Sequence, residues 1–276
     1  MGNVNENATL PFLPPTKEQL FVDIFKKVTP SITADSSILV AGSLLGTHGI
    51  DALRIIRKKT YTDEVVGGYN ILTGLVQALP TNIRSYIMSE CGSISMRLHV
   101  IRYDATLSDL LSRFIETRFG LAFVHKAGGP LISLSDLLHL YDKGFIDTHL
   151  TCNDVASPRF HLPSDATLKE ALEEMIGRRI RRVFVNDSSA FISDRTAIDY
   201  IFSPEGIRVL RGELYTTRIR EIRMMDATPV TGDLPLKKGA RLLLRDKGKC
   251  LLCETGVVTP WDCLVKPFQM NALSTA

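Results

Sequence analysis

The side chains best spaced for chemistry are hydroxyls followed three residues later by an aspartate. Ser133-Leu134-Ser135-Asp136, Thr196-Ala197-Ile198-Asp199 and Thr259-Pro260-Trp261-Asp262 share this pattern. One turn into a helix, an ionised carboxylate can accept two hydrogen bonds from the vicinal hydroxyls of a sugar, and charge-assisted bonds are roughly twice as strong as neutral ones. The same spacing is a capping box, in which hydroxyl and acid serve the helix's own N–H groups and dipole. An isolated copy favours capping. Three copies, each after a pair of short β-rich runs, favour binding. For Thr106 and Thr167, which open helices after Asp104 and Asp165, the capping role suffices.

Other chemistries find less support. Cys250-Leu251-Leu252-Cys253 has the spacing of half a zinc or redox site, but Cys263 is the one nearby thiol and no histidine follows Cys250. An i, i+3 pair on a strand also points to opposite faces, so buried structural thiols are expected. The six histidines form no His-x-x-x-His or His-Glu-x-x-His pair, which leaves metal catalysis without ligands. Arg178-Arg179-Ile180-Arg181-Arg182 is the densest positive cluster and reads equally as a solvated helix end or a phosphate-facing group.

The elements that must position these groups recur. Ser164-Asp165-Ala166-Thr167-Leu168 repeats Tyr103-Asp104-Ala105-Thr106-Leu107, with fainter copies at Gly232-Asp233-Leu234-Pro235-Leu236 and Ala34-Asp35-Ser36-Ser37-Ile38. After each start come a helix of about three turns, a short strand, a turn, a second strand and a second helix. The first strands are predicted at Leu53 to Ile56, Leu121 to Val124, Val183 to Val185 and Cys250 to Cys253. The second are Val65 to Gly67, Leu131-Ile132, Phe191-Ile192 and Gly256 to Val258. Four such repeats, near 21–85, 86–150, 151–215 and 216–276, follow a loose tail over 1–20. A repeat of about 60 residues is marginal alone. Pairing through the sheets predicts two modules, 21–150 and 151–276.

Composition narrows the classes. Over 276 residues, 45% hydrophobic and 23% charged side chains exclude general disorder. A net charge of +3 is too balanced for a protein held on nucleic acid by bulk charge. No apolar run reaches the roughly 18 residues that span a bilayer, and the N-terminus lacks the layout of a secretory signal. Five scattered cysteines suit reduced thiols, and a cytoplasmic location is expected.

The repeat resembles the cystathionine-β-synthase (CBS) motif family, present four times in an α/β arrangement of β-α-β-β-α motifs that pair into two CBS-pair (Bateman) modules. Leu168 to Met175, Arg178 to Val185 and Asn186-Asp187 carry the likeness most clearly. The family's ligand motif, Gly-apolar-x-Thr/Ser-x-x-Asp, is intact in Gly256-Val257-Val258-Thr259-Pro260-Trp261-Asp262. Repeats two and three keep hydroxyl and acid (Ser133 and Asp136, Thr196 and Asp199), whereas Ile71 and Gly74 replace both in repeat one. The resemblance implies a non-catalytic sensor of AMP, ADP, ATP or a related adenosyl compound (S-adenosylmethionine or NAD), bound in clefts between paired motifs. It implies ribose and phosphate contacts from Ser133, Asp136, Thr196, Asp199, Thr259 and Asp262. Phosphate contacts at the ends of the first helices would fall to His48, Arg118, Arg179 and Lys247, with Arg195 beside them. Thr106 and Thr167 occupy positions that face ligand in some relatives.

The resemblance further implies no catalytic residue, no required cofactor, and either a homodimer through the modules or a regulated protein partner. Two other readings compete with the sensor. One is a ligand-independent interaction scaffold, favoured by the degenerate repeat one. The other, a nucleic-acid-binding module using the arginine clusters, is disfavoured by the charge balance.

Overall fold

In a computed structural model the described residues are 29–78, 82–102, 105–124, 129–204, 206, 216–246 and 248–275. The expected tail, Tyr103-Asp104, Ala127-Gly128 and Lys247 lie outside them. Repeat one runs β1 (Ser31–Thr33), α1 (Ile38–His48), β2 (Ala52–Arg57), β3 (Thr60–Gly67), α2 (Gly68–Ala78) and α3 (Ile83–Met88), then β4 (Met96–Arg97). Repeat two has β5 (Val100–Ile101), α4 (Leu107–Thr117), β6 (Leu121–Val124), β7 (Leu131–Ser133), α5 (Leu134–Leu137), α6 (His139–Asp142) and β8 (Ile146–Asp147). In repeat three come α7 (Cys152–Val155), β9 (His161–Leu162), α8 (Leu168–Arg178), β10 (Arg182–Val185), β11 (Ala190–Ser193), α9 (Asp194–Ile201) and β12 (Met225–Asp226). Repeat four closes with β13 (Thr228–Pro229), α10 (Leu236–Arg245), β14 (Leu251–Cys253), β15 (Gly256–Val258), α11 (Pro260–Gln269) and β16 (Ser274–Thr275). None of these helices is long and apolar enough to cross a membrane.

The first helices of repeats one to three are built alike. Each has eleven residues, a hydroxyl N-cap (Ser37, Thr106, Thr167) and a left-handed residue at the C-cap (Gly49, Arg118, Arg179). Three residues later the first strand begins, and it hydrogen-bonds antiparallel to the second: β2 with β3, β6 with β7, β10 with β11 and, in repeat four, β14 with β15. In repeats one to three a leading strand lies parallel to the first strand on its other edge. The expected strands thus form where the short β-rich runs placed them.

The packing of repeats differs from the two contiguous modules expected. The described residues of 29–98 and 158–229 form one compact unit, and those of 99–157 and 230–276 form the other. Repeats one and three therefore share one core, and repeats two and four share another. The shared surfaces within a unit are helices rather than the sheets expected to pair. In the first unit, Ile38, Ala41 and Leu45 of α1 join Ala197, Ile198 and Ile201 of α9 in one cluster. Gly42 and Gly46 allow this approach: a Cβ at Gly42 would lie 2.6 Å from the Phe202 ring, and one at Gly46 3.2 Å from Asp199 Cα. In the second unit α11 supplies Cys263, Leu264 and Val265 to a core shared with Leu110, Leu111 and Phe114 of α4. Pro267 within α11 has no N–H, so the Cys263 carbonyl loses its helical donor. The buried Tyr141 hydroxyl of repeat two donates to that carbonyl at 2.9 Å.

Candidate functional site

At the strand-to-helix tip of repeat two, Ser133 caps α5 and Asp136 completes a capping box. The Ser133 N–H and hydroxyl both donate to Asp136 Oδ2, at 2.9 and 2.7 Å, and Asp136 N–H donates to Ser133 Oγ at 3.2 Å. Both residues are half-buried. The hairpin brings Arg118 to the same end: Leu121 pairs with Ser133, and the Leu134 N–H donates to the Gly120 carbonyl at 3.1 Å. Arg118, two residues before Gly120, is exposed and left-handed at φ 53°.

The tip of repeat four has the same box with a different surrounding. Thr259 N–H and hydroxyl donate to Asp262 Oδ2 at 2.9 and 2.7 Å. Asp262 Oδ1 accepts from Ser157 Oγ at 2.6 Å and lies 3.2 Å from Lys266 Nζ. Lys266 Nζ also donates to the Val155 and Ala156 carbonyls. With 2% of its surface exposed, Asp262 has both oxygens committed inside the fold. It fastens the end of α7 to α11.

In repeats one and three the boxed pair lies earlier than the sequence motif was placed, by four residues in repeat one and three in repeat three. Ser193 is the N-cap of α9: its N–H donates to Thr196 Oγ1 at 2.7 Å and its Oγ accepts the Thr196 N–H at 3.1 Å. Thr196 thus stands where Asp136 and Asp262 stand elsewhere. Asp199, one turn further, is exposed at the α1–α9 crossing beside Gly46. Repeat one closes its tip with Gly67 N–H donating to Asn70 Oδ1 at 3.2 Å, so Gly67 and Asn70, rather than Ile71 and Gly74, hold the two places. Counting helical turns from the end of the second strand, instead of matching hydroxyl to acid, would have found this register.

Repeat three has an acid at its tip all the same. Asp194 is buried at the first helical position and accepts from Arg181 Nε at 2.7 Å, while Arg181 NH2 reaches Asp51 of repeat one at 3.3 Å. The Asp194 charge holds the Arg181 guanidinium above its ordinary value, against the opposing effect of burial. Arg195 Nε is buried without a partner beside a cavity of about 10 Å³ lined by Leu45, Asp51, Gly68 and Asp194, room for about one water. The arginine run is divided among tasks: Arg178 pairs with Glu174 and lies 4.2 Å from the Phe160 ring, and Arg182 sits 5.8 Å from the Phe191 ring. Arg179, exposed at φ 55°, stands by the Ser193 tip through the Arg182–Ser193 pairing.

His48 is exposed in the last turn of α1, one residue before the left-handed place that Gly49 fills. Thr106 and Thr167 cap α4 and α8, boxed with Asp109 and Glu170. Thr151 and Asp154 form a further box at α7, away from any strand-to-helix tip. Hydrogen bonds from the N-cap backbone hold the Asp154 and Glu170 carboxyls below their usual range. A groove of about 340 Å³ beside α8 is lined by Asp165, Glu170, Glu173 and Glu174 together with Arg218, a net negative charge that disfavours phosphate. All five cysteines are buried free thiols. Burial pushes Cys91 up to about 11 and Cys152 up to about 12, and raises Cys263 as well. Among the described residues no group of His, Cys, Asp and Glu side chains could hold a metal ion.

Four copies of a helix, hairpin and helix repeat define a tandem-repeat α/β protein. The family description "CBS domain" matches residues 152–192, which span α7 to β11. A solved Methanocaldococcus jannaschii protein, described as a proposed archaeal homologue of γ-AMPK, superposes with a TM-score of 0.77 at 17% identity, covering 90% of this chain and 99% of that one. An uncharacterised conserved protein from Pyrococcus horikoshii gives a TM-score of 0.52 at 13% identity, over 87% of this chain and 96% of that one. Among curated proteins no sequence matches. A CBS domain is thus matched within repeat three, and the chain as a whole shares the fold of the Methanocaldococcus jannaschii protein.

Proposed function

We propose that this chain is a non-catalytic regulatory module that binds an adenosine-type nucleotide, with repeat two as its principal site. Asp136 would take the ribose hydroxyls, and Ser133 and Arg118 the phosphate. The observation that carries this reading is the left-handed arginine. At equivalent places repeat one has Gly49 while repeats two and three have Arg118 and Arg179. An L residue in that conformation costs roughly 1–2 kcal/mol that glycine avoids. An arginine kept there, beside a helix tip with a half-buried acid, suits a strand end that grips an anion. Arg179 and Arg195 would serve a phosphate at repeat three, whose boxed residue is Thr196 in place of an acid. Thr259 and Asp262 serve the fold of repeat four, and Asp199 the helix crossing.

Calorimetric titration with AMP, ADP and ATP tests the reading, using wild type, Arg118→Gly and Asp136→Asn. Asn keeps an acceptor for the Ser133 N–H and loses the charge. Each variant should weaken binding about 10- to 100-fold, as the loss of charge-assisted hydrogen bonds requires. Melting temperature without ligand should hold or rise in Arg118→Gly. Wild type binding none of the three nucleotides, or both variants binding as wild type, would defeat it.

A further inference from the structure

Repeat one differs from the others in its hairpin. β2 and β3 have six and eight residues, against three or four in the corresponding strands of the other repeats. β1 pairs with Arg54 to Ile56, β4 with Glu64 and Val65, and the Leu98 N–H donates to the Asp63 carbonyl at 2.8 Å, so, among the described residues, 57–62 extend beyond any third strand. The register closes on Arg57 opposite Thr60, which makes Lys58 and Lys59 the two-residue loop. Both are exposed and left-handed, at φ 49° and 63°. That is a type I′ turn, for which Asn-Gly is the least strained filling and two long side chains are a poor one.

The neighbouring charges cancel. Arg57 NH2 pairs with Glu64 at 2.8 Å, and Arg97 with Asp63 at 3.1 Å. Lys58 and Lys59 are left as a net positive tip. Two residues along β3, Tyr61 is 51% exposed, with the buried Arg54 guanidinium 5.1 Å from its ring. A protruding arm thus ends in two ammonium groups that no acid among the described residues pairs with, and in an aromatic ring held from behind, built on a turn whose residues are the wrong ones for stability alone.

We propose that the Lys58–Lys59 tip, with Tyr61, is a docking element for an acidic segment of a partner protein. Two compact charges and one aromatic ring match a short run of Asp or Glu with an apolar neighbour. Two charges are few for a nucleic-acid strand, which rewards a track of cations and several stacking rings. The inference stands apart from nucleotide binding, because it uses no residue of the repeat-two site.

The test uses the full chain, a fluorescein-labelled oligoglutamate peptide and an oligothymidylate of matched charge, with anisotropy read at about 50 mM salt and again at about 300 mM. The variant Lys58→Asn/Lys59→Gly removes both charges and supplies the preferred turn. The expected result is peptide binding that falls with salt, weakened roughly two- to thirtyfold in the variant, together with a higher melting temperature. No peptide binding by wild type at low salt, equal binding by the variant, or a lower melting temperature in the variant overturns the proposal. Binding of the oligothymidylate in preference to the peptide also overturns it, in favour of a nucleic-acid partner.

Discussion

Replacing Tyr141 by Phe should destabilise the unit that holds repeats two and four, for a reason traceable to one proline. Pro267 leaves the Cys263 carbonyl without its helical donor, and the Tyr141 hydroxyl fills that place at 2.9 Å in a buried setting. Removing the hydroxyl orphans a buried acceptor, which costs about 1–3 kcal/mol. In a Pro267→Ala background the new Ala N–H can satisfy the same carbonyl, and the Tyr141→Phe cost should shrink to about 0.5–1 kcal/mol. The expected coupling is therefore about 1 kcal/mol or more, above the usual additivity error. The one tryptophan, Trp261, lies in α11 itself, so its fluorescence reports unfolding of this unit. Urea denaturation of wild type, both single variants and the double variant closes the cycle. Equal costs of Tyr141→Phe in both backgrounds would refute the account of how these repeats are joined.

Asp262→Ala should cost about 2–4 kcal/mol, since it removes a cap and strands the partners of a buried carboxylate, while changing nucleotide affinity less than twofold. Calorimetry and thermal melting on the same sample check both halves, and a stable variant that has lost nucleotide binding would return Asp262 to the binding site. Stability should also fall as pH rises above about 9. Cys91 and Cys152 are held up to about 11 and about 12 in the fold, so between the unfolded value and those values the native state keeps protons that the unfolded chain has released. Each thiol then contributes a loss of about 1.4 kcal/mol per pH unit, and a melting temperature that stays flat from pH 8 to 10.5 would contradict the burial.

The repeats were legible because their signals are local. Short β-rich runs and a first helix of about three turns each lie within a dozen residues, and the helix-and-hairpin units formed where expected. The grouping of repeats was not legible, because it depends on which helix faces meet across more than a hundred residues. Gly42 and Gly46 matter only once Phe202 and Asp199 lie against them. The site was half legible. Hydroxyl-x-x-acid marks a helix start as readily as a ligand contact, and the structure has such boxes at Thr106–Asp109 and Thr151–Asp154, where they only cap. Its recurrence therefore carries little weight, and it misplaced the tip by four residues in repeat one and by three in repeat three. The left-handed arginines left no mark in the sequence beyond standing level with Gly49.

Interleaved repeats set an order of events during synthesis. The helices of repeats one and two leave the ribosome long before α9 and α11, whose apolar faces complete their cores. For most of translation the nascent N-terminal half must therefore carry uncovered greasy surface, and no cut in the middle of the gene would yield two self-sufficient halves. Such a polypeptide is committed to finishing whole before either core can close.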